Sequence, residues 1–371
     1  MRTIHIVSDG SLGTLQFTLF PLIRWNRLLR EHGLRVRIFH DLRGAPLECD
    51  VLVMCSKYFR AWQNLQTRSP DNERQLRETL QRLRAPGRVL AWFDVSDPGG
   101  STDFGIIDLV DLFLKKQLRS DRSSYTRAVA GAVRPWLADT AAPDAREGAG
   151  HDYRPCPTEH LHKLRVGWNI GLGDYRYVCR GFNRIGHRMP EFPSLRFTDA
   201  AARRGTDLSF RGTVGYAGGD GVGAHRQRLF ETMRPLGEGG YRLAVGGRVS
   251  RRQYLRELRR SKLAVSPFGW GEICFRDFEI VASGAALVKP RVDHLNTWPP
   301  FFEPNVTYVP VAWDLADGRA VVAQILAAPG RRIAIAAAAQ ARLREYHASG
   351  ERSGAAFANH LRGALTLDSR S

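Results

Sequence analysis

The chain has 371 residues, 43% of them hydrophobic and 10% aromatic, which is enough for two packed cores and excludes an intrinsically disordered protein. The 55 Lys and Arg residues outnumber the 37 Asp and Glu residues, so the formal net charge is +18 and an anionic partner is expected. There is no zinc-finger or helix-turn-helix spacing and no CxxC pair among the five cysteines, so a dedicated DNA-binding module, a zinc site and a disulfide framework are not predicted.

The first half of the chain alternates apolar strand patterns with helix patterns. Residues 3–40 read as strand, glycine-containing loop, amphipathic helix and strand, which is a right-handed βαβ unit. Apolar segments at 50–56, 88–94 and 110–116 continue the series, with a helix pattern at 74–85. We predict a doubly wound α/β domain at residues 1–200, with an exposed loop at about 139–159, where the composition shifts to polar and small residues.

A second series of the same kind begins at about residue 201. Strand patterns at 207–210, 241–247, 262–270 and 285–290 alternate with helix patterns at 224–236 and 250–261. This predicts a second doubly wound domain at 201–345 and a C-terminal helical segment at 346–371 that packs back on the first domain. Open parallel sheets bind ligands at the carboxyl ends of their strands, so the two Rossmann-like domains are expected to face a central cleft.

Two further patterns bear on the location of the protein. The sequence enters a strand at once, without the basic start and apolar core of a signal peptide. The alanine-rich segment at 333–341 is too short to span a bilayer. We therefore expect a cytoplasmic protein, with peripheral association at the inner membrane face as an option.

The segment 266–290, SPFGWGEICFRDFEIVASGAALVKP, concentrates charged residues and glycines beside an apolar strand. Glu272 is expected in a loop and Glu279 in the first turns of the following helix, where Arg276 and the free backbone N–H groups would form an anion site. Gly269 and Gly271 would let the backbone approach a ligand. Buried carboxylates need hydrogen-bond donors such as sugar hydroxyls. Together these groups predict a nucleotide sugar as ligand; the alternatives are a solvated helix acid and a surface ion pair.

The same segment resembles the donor site of GT-B glycosyltransferases, particularly bacterial proteins of the CgeB-like and exostosin-like groups. The segment 293–314, DHLNTWPPFFEPNVTYVPVAWD, is similar to that group too, so the resemblance covers roughly the last third of the chain. It implies a GT-B fold, a donor ribose held by Glu279 and a donor sugar contacted by Glu272. The spacing between these two glutamates is one residue shorter than is common in the family.

Three more residues of the second half are candidates for donor binding. Arg211 follows a strand and occupies the position that faces the donor diphosphate in GT-B proteins. Lys289 ends another strand, and His294 lies beyond it, where it would contact the donor sugar. The alternative for Arg211 is a side chain that lies over the surface.

In the first half, Asp94 and Asp97 follow the apolar segment 88–94, so their carboxylates are expected to point into the cleft. An inverting transfer needs a base for the acceptor hydroxyl, and Asp97 is the preferred candidate. The alternative is a turn aspartate bonded to its own backbone. Gly13 lies in a glycine-containing turn without GxGxxG and is assigned to a cleft loop, or simply to a tight turn.

These features predict a metal-independent, nucleotide-sugar-dependent glycosyltransferase without a cofactor, in which arginines and a helix terminus neutralise the leaving diphosphate. The charge of +18 favours an anionic glycan or lipid-linked glycan as acceptor. The alternatives are transfer to hydroxylated bases in DNA, a GT-B nucleotide-sugar epimerase, and a catalytically silent binding protein.

Overall fold

Two parallel sheets form the cores of two α/β domains, which confirms the predicted fold class. The computed structural model describes residues 1–63, 67–99, 102–127, 153–175, 195–213, 221–347 and 350–367. Most of the loop predicted at 139–159 lies outside the described residues, because the description resumes at Tyr153.

The first sheet has the strand order β2-β1-β3-β4-β5-β7, and every neighbouring pair is parallel. Its strands are β1 (Arg2–Val7), β2 (Leu34–Phe39), β3 (Val51–Cys55), β4 (Val89–Asp94), β5 (Leu112–Lys115) and β7 (Leu164–Val166). The described helices of this half are α1 (Leu12–Phe17), α2 (Phe20–Arg24), α3 (Asn26–Glu31), α4 (Arg60–Gln63) and α5 (Pro70–Leu83). Successive strands are added on one side of β1 (β2) and then on the other side (β3, β4, β5), so the strand order reverses between β1 and β3 and a switch point lies at their carboxyl ends.

Helices form where an N-terminal capping residue is followed by apolar residues at helical spacing. In α5, Ser69 and Asn72 make a reciprocal capping box, and Leu76, Leu80 and Leu83 lie buried on one face. The single amphipathic helix expected before β2 is instead three short helices. Pro21 at the start of α2 has no backbone N–H to donate, so the preceding helix ends before it.

The second sheet has the order β13-β11-β10-β8-β9 and is also parallel throughout. Its strands are β8 (Thr206–Arg211), β9 (Leu243–Gly246), β10 (Ser261–Val265), β11 (Ala286–Pro290) and β13 (Val309–Val311). The helices are α6 (Gly221–Glu238), α7 (Arg251–Arg260), α8 (Phe275–Ser283), α9 (Gly318–Ala327) and α10 (Pro329–His347). The strand order repeats that of the first sheet, which puts the second switch point between β8 and β10.

A small antiparallel sheet joins the two domains. Strand β6 (Gln117–Arg119) pairs with β12 (Leu295–Thr297). Next to this pair, the backbone N–H of Ser120 donates to the carbonyl of His294 over 2.8 Å. The connection holds the carboxyl ends of both sheets close to each other.

The C-terminal helix α11 (Glu351–Ala364) packs on the first domain. Phe357 and Leu361 are fully buried in the core formed by the first sheet and α3. A Cβ added to Gly354 would lie 2.4 Å from Leu28 Cδ1, so only glycine lets α11 approach α3 this closely.

Among the described residues no single helix is long and apolar enough to cross a membrane; α9 and α10 meet those criteria only as a pair bent by 101°.

We expect Phe357→Ala to lower the free energy of unfolding by about 3–5 kcal/mol, because it removes a fully buried ring from the first-domain core. The control is Arg352→Ala on the same helix, whose side chain is 90% exposed and whose loss should change stability by less than about 0.5 kcal/mol. Urea denaturation measures both, and equal stability of the two variants would show that α11 is not part of this core.

Candidate functional site

Two loops from different domains meet at the carboxyl edges of the sheets. The loop after β4 carries Asp97 and Gly99, and the loop before α8 carries Gly271 and Glu272. The backbone N–H of Gly99 donates to Oε2 of Glu272 over 2.8 Å, and this carboxylate is 1% exposed. A Cβ on Gly271 would lie 2.2 Å from the carbonyl oxygen of Asp97. Gly271 was expected to let a ligand approach the backbone. In the structure, the backbone of the other domain occupies the space beside Gly271.

Asp97 keeps an accessible carboxylate at this junction. Its side chain is 56% exposed, and Oδ1 accepts a hydrogen bond from Nζ of Lys116 over 2.8 Å. Lys116 follows β5 and is itself buried. The carboxylate therefore lies at the junction with its position held by the Lys116 ammonium and with more than half of its surface open to an acceptor.

Asp94 differs from the expectation that it points into the cleft. It is buried, and Lys115 Nζ lies 2.7 Å from Oδ2. The backbone N–H and hydroxyl of Ser96 donate to Oδ1, and the hydroxyl of Thr102 donates to Oδ2. Burial alone would raise the pKa of Asp94, but the charge of Lys115 and these hydrogen bonds hold the pKa below its ordinary value. This geometry gives Asp94 a structural role beneath Asp97.

Glu279 lies in the second turn of α8 and is 6% exposed. Its carboxylate accepts hydrogen bonds from Arg251 Nη2 over 2.7 Å and from the hydroxyl of Tyr254 over 2.9 Å. Burial and the Glu279 carboxylate raise the pKa of Tyr254 well above its ordinary value, so this hydroxyl remains a donor. Two oxygen lone pairs of Glu279 are thereby used, and a carboxylate offers about four.

Arg276, on the first turn of α8, keeps hydrogen-bonding capacity. Its guanidinium stacks 5.4 Å above the ring of Phe210, and Nη1 is buried without a partner among the described residues. The hydroxyl of Ser209 is likewise buried and unpartnered. Both residues line a narrow cavity between β8, α7 and α8, shared with Tyr254 and Glu257. The cavity therefore combines a cation and a hydroxyl that have donors available.

Arg211 and Lys289, both expected at the donor, are engaged by protein groups. The guanidinium of Arg211 forms a bidentate pair with Glu257, with distances of 2.7 and 2.9 Å. Lys289 is fully buried, with Nζ 3.0 Å from Asp277 Oδ2 and 2.5 Å from the carbonyl oxygen of Glu272. These partners leave Lys289 as an internal brace of the loop before α8.

The start of α8 is also occupied by the chain's own groups. Asp277 accepts a hydrogen bond from the backbone N–H of Cys274 over 3.1 Å and another from the hydroxyl of Ser266. This capping carboxylate takes the position in which an anion at the helix N-terminus was expected. The guanidinium of Arg276 is therefore better suited to bind an anion than the N-terminus of α8 is.

The remaining predicted residues lie at different depths. The Nδ1 atom of His294 is buried and has no hydrogen-bond partner in the described part of the chain, and burial lowers the pKa of His294 below its ordinary value. His294 also interacts electrostatically with Glu272, whose carboxylate lies at the junction. Gly13 is exposed in the first turn of α1, and a Cβ there would have no neighbour within 4 Å.

Arg226, which no sequence pattern singled out, lies beside the Gly269 loop. A Cβ on Gly269 would be 3.7 Å from Arg226 Nη2, and Arg226 Nη1 donates to the carbonyl of Thr213 over 3.1 Å. The backbone of Thr213 follows β8, at the second switch point. A search for cations near both switch-point loops would have found this residue.

In the described ranges no group of three or more His, Cys, Asp or Glu side chains is arranged to hold a metal ion.

Residues 196–358 match the family model described as glycosyl transferase-like. The match spans every strand of the second sheet and the whole of α8. No curated protein sequence matches the chain significantly. The narrower likeness to the CgeB-like and exostosin-like groups stays a prediction.

Three solved structures are similar to the chain in overall course. An α-glucosyltransferase in complex with UDP has a TM-score of 0.47 and 11% identity, covering 98% of this chain and 99% of that chain. HepE from Anabaena in complex with UDP-glucose has a TM-score of 0.43 and 12% identity, covering 98% and 100%. The α,α-trehalose 6-phosphate synthase from Burkholderia multivorans has a TM-score of 0.44 and 10% identity, covering 98% and 96%. Likenesses of this strength show neither a substrate nor a mechanism.

We expect Asp94→Asn and Asp97→Asn to differ sharply in stability. Asp94→Asn leaves Lys115 buried without its charge partner and should cost about 3–5 kcal/mol. Asp97→Asn removes a carboxylate that is 56% exposed but whose partner Lys116 is buried, so it should cost less, about 1–2 kcal/mol. Urea denaturation at neutral pH measures both, and equal losses would contradict the structural role of Asp94.

The Asp94 pair should also contribute to acid sensitivity. Because the folded-state pKa of Asp94 is lowered, its contribution is complete above the unfolded carboxyl pKa of about 3.9 and is lost as the pH falls through the folded value. The Asp94→Asn variant should lack that part of the decline in stability below about pH 4.

Proposed function

We propose that the protein is a glycosyltransferase that moves a sugar from a nucleotide-sugar donor to a hydroxyl acceptor. The observation that carries the proposal is the position of Arg276 and Glu279. Both lie on α8, inside the segment that matches the glycosyl transferase-like model, and Arg276 borders the second switch point. A guanidinium whose Nη1 has no hydrogen-bond partner in the described part of the chain, next to a buried carboxylate, suits a diphosphate joined to a ribose.

On the donor side, Glu279 accepts the ribose hydroxyls with the lone pairs that Arg251 and Tyr254 leave unused. Arg276 and Arg226 take the charge of the diphosphate, so no metal ion is required in this proposal. His294 is the proposed contact for the donor sugar, and two observations support it: its Nδ1 has no partner among the described residues, and its imidazole interacts electrostatically with Glu272.

On the acceptor side, Asp97 is the proposed base. The acceptor oxygen attacks the anomeric carbon, the bond from that carbon to the diphosphate breaks, and the hydroxyl proton passes to the Asp97 carboxylate. The negative charge leaves on the diphosphate, beside Arg276. Asp97 comes from the first domain and Arg276 from the second, so an acceptor and a donor held on opposite sides react between them.

The acceptor proposed is an anionic glycan or a lipid-linked glycan, with peripheral association of the protein at a membrane in the second case. The support is the net charge of +18, which one donor diphosphate offsets only in small part.

We expect Asp97→Asn to lower the turnover number for sugar transfer by about 10²–10⁴-fold, because the general base is lost. The affinity for the nucleotide sugar should be unchanged, since Asp97 belongs to the first domain and the proposed donor-binding residues Arg276 and Glu279 belong to α8 of the second. A labelled-sugar assay measures turnover and calorimetry measures donor binding, with Asp71→Asn, at a side chain that is 82% exposed, as the matched control. Turnover close to that of the parent protein would exclude Asp97 as the base.

We expect Arg276→Met to weaken nucleotide-sugar binding by about 10- to 150-fold, which corresponds to one lost charge-assisted contact of about 1.5–3 kcal/mol. Methionine keeps the apolar stem over Phe210. The control is Arg234→Met, at an 80% exposed position, which should bind as the parent protein does. Calorimetry against a panel of nucleotide sugars provides the measurement, and donor isomerisation without transfer would indicate an epimerase.

A further inference from the structure

A group of three cations lies at the carboxyl edge of the first sheet, outside the donor side of the cleft. We call Lys57, Arg60 and Lys116 the basic cluster. The chain has only six lysines among its 55 basic residues, and two of the six belong to this group. Lysine presents a compact charge that suits a phosphate oxygen.

The basic cluster lies at the first switch point. Lys57 is two residues beyond the end of β3, and Asp9 is two residues beyond the end of β1. Arg60 Nη2 pairs with Asp9 Oδ2 over 2.6 Å, which draws the cluster toward the crevice between β1 and β3. A crevice at this position of a doubly wound sheet is where ligands bind.

The charges of the basic cluster are only partly balanced. Arg60 is paired with Asp9, and Lys116 is paired with Asp97. Lys57 is half-buried and makes no hydrogen bond or ion pair of its own with the residues that the structure describes. Burial and the nearby charge of Lys116 lower the pKa of Lys57, against the opposing effect of Asp97 and Asp9. One positive charge is thus left without a contacting partner.

An anion placed against Lys57 would also come within reach of the other two cations. Arg60 has an exposed side chain, at 66%, and can turn toward such a ligand. The pairing of Lys116 with Asp97 links the same location to the proposed base. An anionic group bound there would hold a neighbouring hydroxyl of the same molecule near Asp97.

We propose that the basic cluster is a subsite for a terminal phosphate group on the acceptor. This inference rests on the proposed transferase function and specifies its acceptor: a phosphorylated sugar or glycan whose phosphate contacts Lys57 and whose hydroxyl lies at Asp97. The donor diphosphate is a different ligand group, held by Arg276 on the other side of the contact between Asp97 and Gly271.

The test measures lysine reactivity and does not require transfer activity. The folded protein is reductively methylated with and without inorganic phosphate or a hexose monophosphate, and each lysine is followed by peptide mass spectrometry. Lys57 should be modified at least about 5-fold more slowly with either phosphate compound, and at an unchanged rate with the unphosphorylated hexose. The internal control is Lys262, which is 31% exposed and paired with Asp207 in the second domain; its rate should not change.

Several results would overturn the subsite. The first two are no protection of Lys57 and equal protection of Lys262. The third is protection of Lys57 by a nucleoside diphosphate but by neither phosphate compound. The fourth is stronger protection of Lys57 by a short DNA duplex than by the hexose monophosphate. The last result would assign the basic cluster to a phosphodiester backbone.

A kinetic experiment tests the phosphate subsite separately from the transferase function. Lys57→Met should raise the KM for a phosphorylated acceptor at least about 10-fold and leave the KM for the donor unchanged, whereas Lys262→Met should change neither. Protection of Lys57 in a protein that transfers no sugar would refute the transferase and leave a phosphate site. Transfer that is indifferent to Lys57→Met would refute the subsite and leave the transferase.

Discussion

The contact between the Asp97 carbonyl and Gly271, together with the hydrogen bond from Gly99 to Glu272, fixes the geometry on which the rest of the site depends. Any side chain at Gly271 would overlap the backbone of the first domain, since even a Cβ would lie 2.2 Å from that carbonyl oxygen. The two carboxyl edges are therefore held within hydrogen-bonding distance. In the proposed reaction, an acceptor on one sheet and a donor on the other would meet across this close approach.

The charged side chains near this contact fall into two groups. Buried carboxylates below the junction are matched by buried lysines, as in Asp94 with Lys115 and Asp277 with Lys289. These pairs use their charges on each other and brace the two loops. Two groups remain as candidates for a ligand: Asp97, whose side chain is 56% exposed, and Arg276, whose Nη1 has no hydrogen-bond partner among the described residues.

The sequence predicted the architecture well because the relevant signals are local. Apolar strands alternating with helices predicted both sheets, and the composition of 266–290 placed Glu272 in a loop and Glu279 on a helix. The pairing of charges could not be predicted in the same way. Lys289 ends a strand just as a ligand-binding lysine would, but its partner Asp277 is defined only once β11 packs beside α8. The role of Gly271 likewise depends on a residue more than 170 positions away, which no local pattern records.

The central claim is that donor and acceptor bind on opposite sides of this interdomain contact. Hydrogen–deuterium exchange with and without a saturating nucleotide sugar tests it most directly. The account predicts slower exchange in the segments at the end of β8 (209–213) and before and into α8 (269–276), and unchanged exchange at 9–13 and 56–60. Protection of the first-domain loops by the nucleotide, with the second-domain loops unaffected, would contradict it.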